Sequence, residues 1–338
     1  MSKIGIVGAG AWGTALASTL GRAGHDCVLW AHEPEVVDGI GKDGRNPLFL
    51  PEIALSGVSA TGDLAVVSDA EAVLLVVPAQ FLRASCRRLR PQWRAGVPAV
   101  ICAKGIELDS FAAMSEVVAE ELPSAPLAVL SGPTFAIEVA RGLPTAITLA
   151  CGDAVLGRQL VDWIGTPSFR PYLTDDVIGA EIGGAVKNVL AIACGVVEGR
   201  GLGDNARAAL ITRGMAELMR LAVAKGARAE TCMGLSGLGD LILTASSQQS
   251  RNYSLGFALG EGKSLADILA SRRSVTEGVA TAAAVGGLAA RLGVELPICD
   301  AVAGLLHHAR GVEETIRDLL ARPFRHELGF TGGNPYPA

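Results

Sequence analysis

The chain has 338 residues, a length that suits two domains of ordinary size. Half of those residues are hydrophobic and only 4% aromatic, so its cores are built from Ala, Val, Leu and Ile and long disorder is excluded. A net charge of -5, with no basic run denser than Arg87-Arg88-Leu89-Arg90, excludes a nucleic-acid binder but leaves room for a small anionic substrate held by local cations.

Residues 3–7 are rich in β-branched side chains and predict a strand, 12–23 a helix, and 26–31 the next strand. The run 72–77 is apolar throughout, as a strand covered on both faces must be, and 97–103, 127–130 and 144–150 repeat the theme. Strands alternating with helices mean βαβ units and a mostly parallel sheet. From about Asp175 strand-like runs become scarce, and 176–200, 205–225, 254–270 and 276–292 have helical period, punctuated by Gly226, Gly260-Glu261-Gly262 and Gly293. The expected organisation is an α/β Rossmann-like domain over 1–173, an all-helical domain over 174–330 and a frayed tail over 331–338.

The apolar run 4–7 is too short for a secretory leader, and no uncharged apolar stretch of about 18 residues occurs, so no membrane insertion is expected and the cytoplasm is the expected location. Cys27, Cys86, Cys102, Cys151, Cys194, Cys232 and Cys299 form no Cys-x-x-Cys pair and neighbour no His at metal-ligand spacing. They read as small buried hydrophobes in a reducing compartment, and no metal site is expected.

Gly8-Ala9-Gly10-Ala11-Trp12-Gly13 fits Gly-x-Gly-x-x-Gly between a strand and a helix, the context that makes the pattern informative. Gly8 permits the tight turn, Gly10 lets backbone approach a pyrophosphate, and Gly13 lets helix pack on strand; the helix N-terminus then faces the anion. Glu33 stands 20 residues after Gly13, where a carboxylate accepts from ribose hydroxyls and repels a 2′-phosphate, which favours NAD. The neighbouring His32 can instead accommodate the phosphate of NADP, so the cofactor stays open between the two.

Further segments carry a resemblance. They are Ala103-Lys104-Gly105-Ile106-Glu107, Ser131-Gly132-Pro133-Thr134-Phe135-Ala136, Gly183-Gly184-Ala185-Val186-Lys187-Asn188, Gly237-Leu238-Gly239-Asp240-Leu241, Ser250-Arg251-Asn252 and, less strongly, Val275-Thr276-Glu277-Gly278. In this order they are similar to the bacterial NAD(P)-dependent glycerol-3-phosphate dehydrogenases, from residue 3 to about 320. The resemblance implies a Rossmann-like domain joined to a helical domain of the 6-phosphogluconate-dehydrogenase-like type. It also implies reversible reduction of dihydroxyacetone phosphate to sn-glycerol 3-phosphate, the family's usual supply for phospholipid synthesis.

Lys187 falls inside an apolar helical stretch after two glycines; apolar neighbours lower a lysine's pKa and suit it to proton transfer, the role the resemblance assigns. The same residue could instead snorkel. Lys104 ends a strand and precedes a glycine, where ligands of parallel sheets bind, or is a plain surface lysine. Asp240 is placed to cap a helix and, by resemblance, lies in the substrate site, two roles that are not exclusive. Ser250, Arg251 and Asn252 offer a hydroxyl, a planar fork of donors and an amide, a set suited to a phosphate monoester, and the resemblance puts them there, with Arg251 and Lys104 also near the cofactor. By resemblance alone, Gly132 and Thr134 contact substrate, and Ala11, Trp12, His32, Ala136, Val275 and Glu277 contact cofactor. Trp12 could equally be a core aromatic, and Glu277 a first-turn helix acid.

Three positions depart from the common pattern: Ala11 for Ser, Ile137 for Lys and Tyr253 for Arg. Two other readings stay open: a β-hydroxyacid or 6-phosphogluconate-type dehydrogenase, and a non-catalytic NAD(P)H-sensing protein. A homodimer is compatible with the apolar helical part.

Overall fold

The computed structural model describes residues 2–272 and 275–323; the segment expected to fray, 331–338, lies outside the described residues. Eight strands form one sheet: β1 (Lys3–Val7), β2 (Asp26–Trp30), β3 (Val58–Thr61), β4 (Ala72–Leu75), β5 (Ala99–Ile101), β6 (Leu127–Ser131), β7 (Thr145–Ala150) and β8 (Phe169–Thr174). Their spatial order is β3-β2-β1-β4-β5-β6-β7-β8, and every neighbouring pair is parallel except β6–β7. Alternate residues feed two apolar layers. Ile4, Ile6 and Leu74 meet Leu16, Leu20 and Ile40 on one face, while Val7, Val73 and Leu75 meet Leu82, Cys86 and Val118 on the other.

Two strands were not expected from the sequence. Both are edges, so neither needs a continuous apolar run. β3 reads Val-Ser-Ala-Thr with no residue fully buried, and β8 carries Pro171, whose missing N–H an edge strand tolerates.

The order reverses at β1, whose neighbours are β2 and β4, and the glycine loop leaves β1 at this switch point. Gly8 adopts φ +117°, open to glycine and strained for other residues. A Cβ on Gly13 would stand 1.8 Å from the Gly8 carbonyl oxygen, so the turn closes only without one.

After β8 the described chain is helical. The helix Val177–Gly199 runs through the middle, buried at every residue from Gly179 to Val197, and Gly203–Ala224, Arg251–Gly260, Glu277–Leu292 and Pro297–His307 pack around it. It is long and apolar enough to cross a membrane, but 89% of its most apolar window is buried inside the protein, as befits a core helix. The expected 254–270 helix is two, Arg251–Gly260 and Leu265–Ala270. Gly262 at φ +91° ends the first, and the Ser264 hydroxyl caps the second. Helices Pro297–His307 and Val312–Leu320 extend beyond the stretches read from the sequence.

The helix Arg251–Gly260 crosses the central one backbone to backbone. A Cβ on Gly256 would sit 2.0 Å from the Ile192 carbonyl oxygen, so any larger residue forces the two apart. That close crossing carries Asn252 down to Asn188, one turn beyond Gly184. All seven cysteines are buried and unpaired, and burial pushes the thiols of Cys27, Cys86, Cys102 and Cys194 up to about 12.

Candidate active site

Lys187 projects from the middle of the central helix and is 7% exposed. The two glycines before it let other backbone come close. A Cβ on Gly183 would stand 2.7 Å from the Ser236 carbonyl oxygen, and one on Gly184 would stand 2.6 Å from the Ser131 hydroxyl. The first approach brings in the turn Leu235–Gly239, closed by a Gly239 N–H to Gly234 C=O bond of 3.1 Å in π-helical register. The turn delivers Asp240 to the start of the short helix Asp240–Thr244. The second approach brings in the end of β6 and, beside it, Lys104 after β5.

Lys187 Nζ donates to Asp240 Oδ1 at 2.9 Å and to Thr244 Oγ1 at 2.8 Å, and Thr244 Oγ1 in turn donates to Asp240 Oδ1 at 3.1 Å. Lys104 Nζ donates to Asp240 Oδ2 at 2.6 Å and to the Gly132 carbonyl at 2.9 Å. Asp240 therefore does not cap its helix, because Gly239 occupies the cap position and both carboxylate oxygens face lysines. Each ammonium has three N–H groups and spends two on these bonds, so each keeps one for a ligand.

Burial pushes the Lys187 ammonium down to about 8, against the pull of Asp240 and helped by the like charge of Lys104. Burial also pushes the Asp240 carboxyl upward, but the two ammonium groups outweigh it and hold it below the ordinary carboxylate range. Half-buried Glu277, at the start of Glu277–Leu292, has its carboxyl raised by burial and partly drawn back by Arg251, Lys187 and Lys104, which places it within electrostatic reach of all three.

Ser250 is the N-cap of Arg251–Gly260, its hydroxyl accepting from Tyr253 N–H at 3.2 Å. Arg251 is exposed and donates to the Val275 carbonyl at 2.9 Å. Asn252 is committed within the protein at both ends of its amide. Nδ2 donates to Asn188 Oδ1 at 2.8 Å, and Oδ1 accepts from Gly278 N–H at 3.0 Å. The departure at Tyr253 turns its buried ring into the helical core, with its hydroxyl toward Arg207. Thr134 Oγ1 donates to the Gly132 carbonyl at 3.2 Å, and Ala136 opens the short helix Ala136–Ala140 behind it.

At the glycine loop, Gly10 is the N-cap of Ala11–Arg22 and offers no side chain to the helix's free N–H groups. A Cβ added there meets nothing within 4 Å, so the space in front of those donors is open. This suits the pyrophosphate of a dinucleotide. Trp12 packs against the core, its ring 6.4 Å from Phe169, and its indole N–H is buried without a partner. His32 and Glu33 follow β2, His32 exposed and Glu33 at the N-cap position of Pro34–Asp43, where its carboxylate makes no capping bond.

Thr244, Asn188 and Asn46 were given no role from the sequence. Thr244 lies four residues after Asp240 on one helix face, a spacing that can be read in advance. Asn46 has no such signal: fully buried, it donates to the Ala9 carbonyl and to Thr14 Oγ1, both at 2.9 Å, and so braces the glycine loop from outside.

A dinucleotide cradle at a switch point of a parallel sheet, joined to a helical part that buries a lysine–aspartate–lysine cluster, is the plan of a nicotinamide-dependent dehydrogenase. Residues 3–156 match the NAD-dependent glycerol-3-phosphate dehydrogenase N-terminus family and residues 176–317 the corresponding C-terminus family. The chain belongs to this family. A Rhodospirillum rubrum protein named glycerol-3-phosphate dehydrogenase, NAD(P)+, is 61% identical over 331 residues, covering 97% of this chain and 95% of its own. One of the same name from Paramagnetospirillum magneticum is 71% identical over 255 residues, covering 75% and 93%. The crystal structure of glycerol-3-phosphate dehydrogenase from Coxiella burnetii superposes with a TM-score of 0.92 at 39% identity, covering 95% of this chain and 99% of that one.

Proposed function

We propose that the chain reversibly reduces dihydroxyacetone phosphate to sn-glycerol 3-phosphate with NADH or NADPH, and that Lys187 exchanges the proton. The observation that carries this reading is the Lys187–Asp240–Lys104 cluster, with one N–H left unspent on each lysine. The glycine loop would hold a reduced nicotinamide dinucleotide by its pyrophosphate, and the bound cofactor would supply the hydride for the carbonyl carbon. Lys187 then gives its free Nζ proton to the carbonyl oxygen, leaving a neutral amine that solvent recharges. Lys104 presents positive charge to the oxygen as electron density builds there, and Asp240 holds both ammonium groups in register. Thr244 fixes the direction of the remaining Lys187 N–H. The other site residues complete the reading. Gly132 and Thr134 line the substrate side. The resemblance assigns the cofactor Gly8, Gly10, Ala11, Trp12, Gly13, His32, Glu33, Lys104, Ala136, Arg251, Val275 and Glu277, which the open glycine loop supports.

Reduction needs Lys187 charged, and oxidation needs it neutral. With its pKa near 8, kcat/KM for reduction falls as pH rises through about 8, while that for glycerol 3-phosphate oxidation rises over the same interval. Rate profiles in both directions check this, and two parallel profiles would remove Lys187 from the proton step.

The phosphate is read by Arg251, the Ser250 hydroxyl, the remaining Asn252 amide N–H and the N–H groups opening Arg251–Gly260, with Asn188 holding the Asn252 amide. A charged hydrogen bond contributes about 1.5–3 kcal/mol. Arg251→Gln should therefore raise KM for dihydroxyacetone phosphate by about ten- to a hundredfold and move kcat less; an unchanged KM places the phosphate elsewhere. The buried, unpaired thiols support a reducing, cytoplasmic setting, where the product would feed glycerophospholipid synthesis. A panel of dihydroxyacetone phosphate, unphosphorylated dihydroxyacetone and a 2-keto acid tests the substrate class. Strong preference for the phosphorylated ketone supports the reading, and preference for the keto acid overturns it.

A further inference from the structure

A second feature lies at the carboxyl ends of β2 and β3, one strand from the glycine loop. There a cavity of about 380 Å³ is walled by Trp30, His32, Asp38, Gly62 and Arg88 among others. The loop and the cavity are joined directly, because Gly8 N–H donates to the Trp30 carbonyl at 3.1 Å. The Trp30 indole is fixed by its own N–H bond to the Gly62 carbonyl at 3.0 Å, and the Arg88 guanidinium lies over the ring, 5.3 Å from its centre. Such a cation–π contact restrains the guanidinium and spends none of its N–H donors.

Among the described residues no carboxylate is ion-paired with Arg88, whereas the adjacent Arg87 is bound to Glu121. Asp38, the acid in the cavity wall, stands 3.8 Å from Lys42. Glu33 follows His32 in the chain but does not line the cavity. The side of the dinucleotide site where adenosine ribose belongs thus presents a pre-set cation from a helix more than fifty residues further along the chain.

We propose that Arg88, held over Trp30 and assisted by His32, binds the 2′-phosphate of NADP(H) and is the residue that sets this chain's cofactor preference. The inference rests on the dehydrogenase reading for the identity of the dinucleotide, but its test does not depend on turnover. Adenosine 2′,5′-bisphosphate and 5′-AMP differ by the 2′-phosphate alone, and their binding to the full chain can be followed by titration calorimetry.

The wild-type chain should bind the bisphosphate roughly tenfold or more tightly than 5′-AMP, and Arg88→Gln should bring that ratio close to one. Arg88 is exposed, so its replacement spares the core. Arg88→Lys, which keeps the charge but loses the planar fork, should keep part of the ratio. A wild-type ratio near one, or a ratio that Arg88→Gln leaves unchanged, overturns the proposal. Nucleotide discrimination without turnover of dihydroxyacetone phosphate would overturn the proposed substrate and leave the role of Arg88 standing.

Discussion

Lys187→Ala should lower the rate of carbonyl reduction by about 10²–10⁴-fold, the range of a positioned general acid, in a protein that remains folded. The fold should survive because the cluster stays balanced. Without Lys187, Asp240 keeps Lys104 at 2.6 Å and Thr244 at 3.1 Å, so no buried charge is left alone. The substitution also removes a group whose charge the interior disfavours. Circular dichroism and steady-state rates on the same preparation check both halves, and partial rescue by a small primary amine would mark the loss as chemical. Near-normal turnover in the folded variant would return Lys187 to a packing role.

Asp240→Asn should do more damage to stability. The substitution keeps the shape but removes the carboxylate that is ion-paired with both ammonium groups, themselves largely buried. Breaking a buried ion pair from one side costs about 3–5 kcal/mol. The sign of the electrostatic change is fixed: with the carboxylate gone and Lys104 still near, the Lys187 pKa falls below about 8. The high-pH limb of the reduction profile therefore moves to lower pH, which a merely structural residue would not cause. Denaturant unfolding and the pH profile together test this. Unchanged stability with an unmoved limb would show that Asp240 is not the counter-ion of the pair.

How far these arguments were legible in the sequence depends on the range of each contact. β1, β2 and β4 to β7 announce themselves as apolar runs because both faces of the sheet are covered, whereas β3 and β8 are edge strands with polar or proline-bearing sequences. The turn of the glycine loop is local and legible, whereas Asn46, which braces it from 32 positions beyond Thr14, is not. Lys104, Lys187 and Asp240 could be named by resemblance. Their meeting could not be read from spacing, since Lys104 and Asp240 are 136 positions apart and only the glycine-lined approaches at Gly183 and Gly184 bring them together.

Of the two roles open to Asp240, the helix cap falls instead on Gly239, a local detail that spacing alone does not reveal. Asn252, read as a phosphate ligand, spends one amide N–H on Asn188 and accepts from Gly278 N–H, contacts 64 and 26 positions away along the chain that no local pattern announces. Arg88 shows the same limit at the cofactor end. Read along the chain it is one of a basic run on a helix; in the fold it lies over Trp30.

The most direct test is the loss of reduced-nicotinamide absorbance when dihydroxyacetone phosphate is added to the purified, folded chain, with NADH and NADPH run side by side. Rapid loss that requires the phosphorylated ketone is the predicted result. No loss with either cofactor would contradict the account and turn attention to a hydroxyacid dehydrogenase or a nucleotide-sensing protein on the same fold.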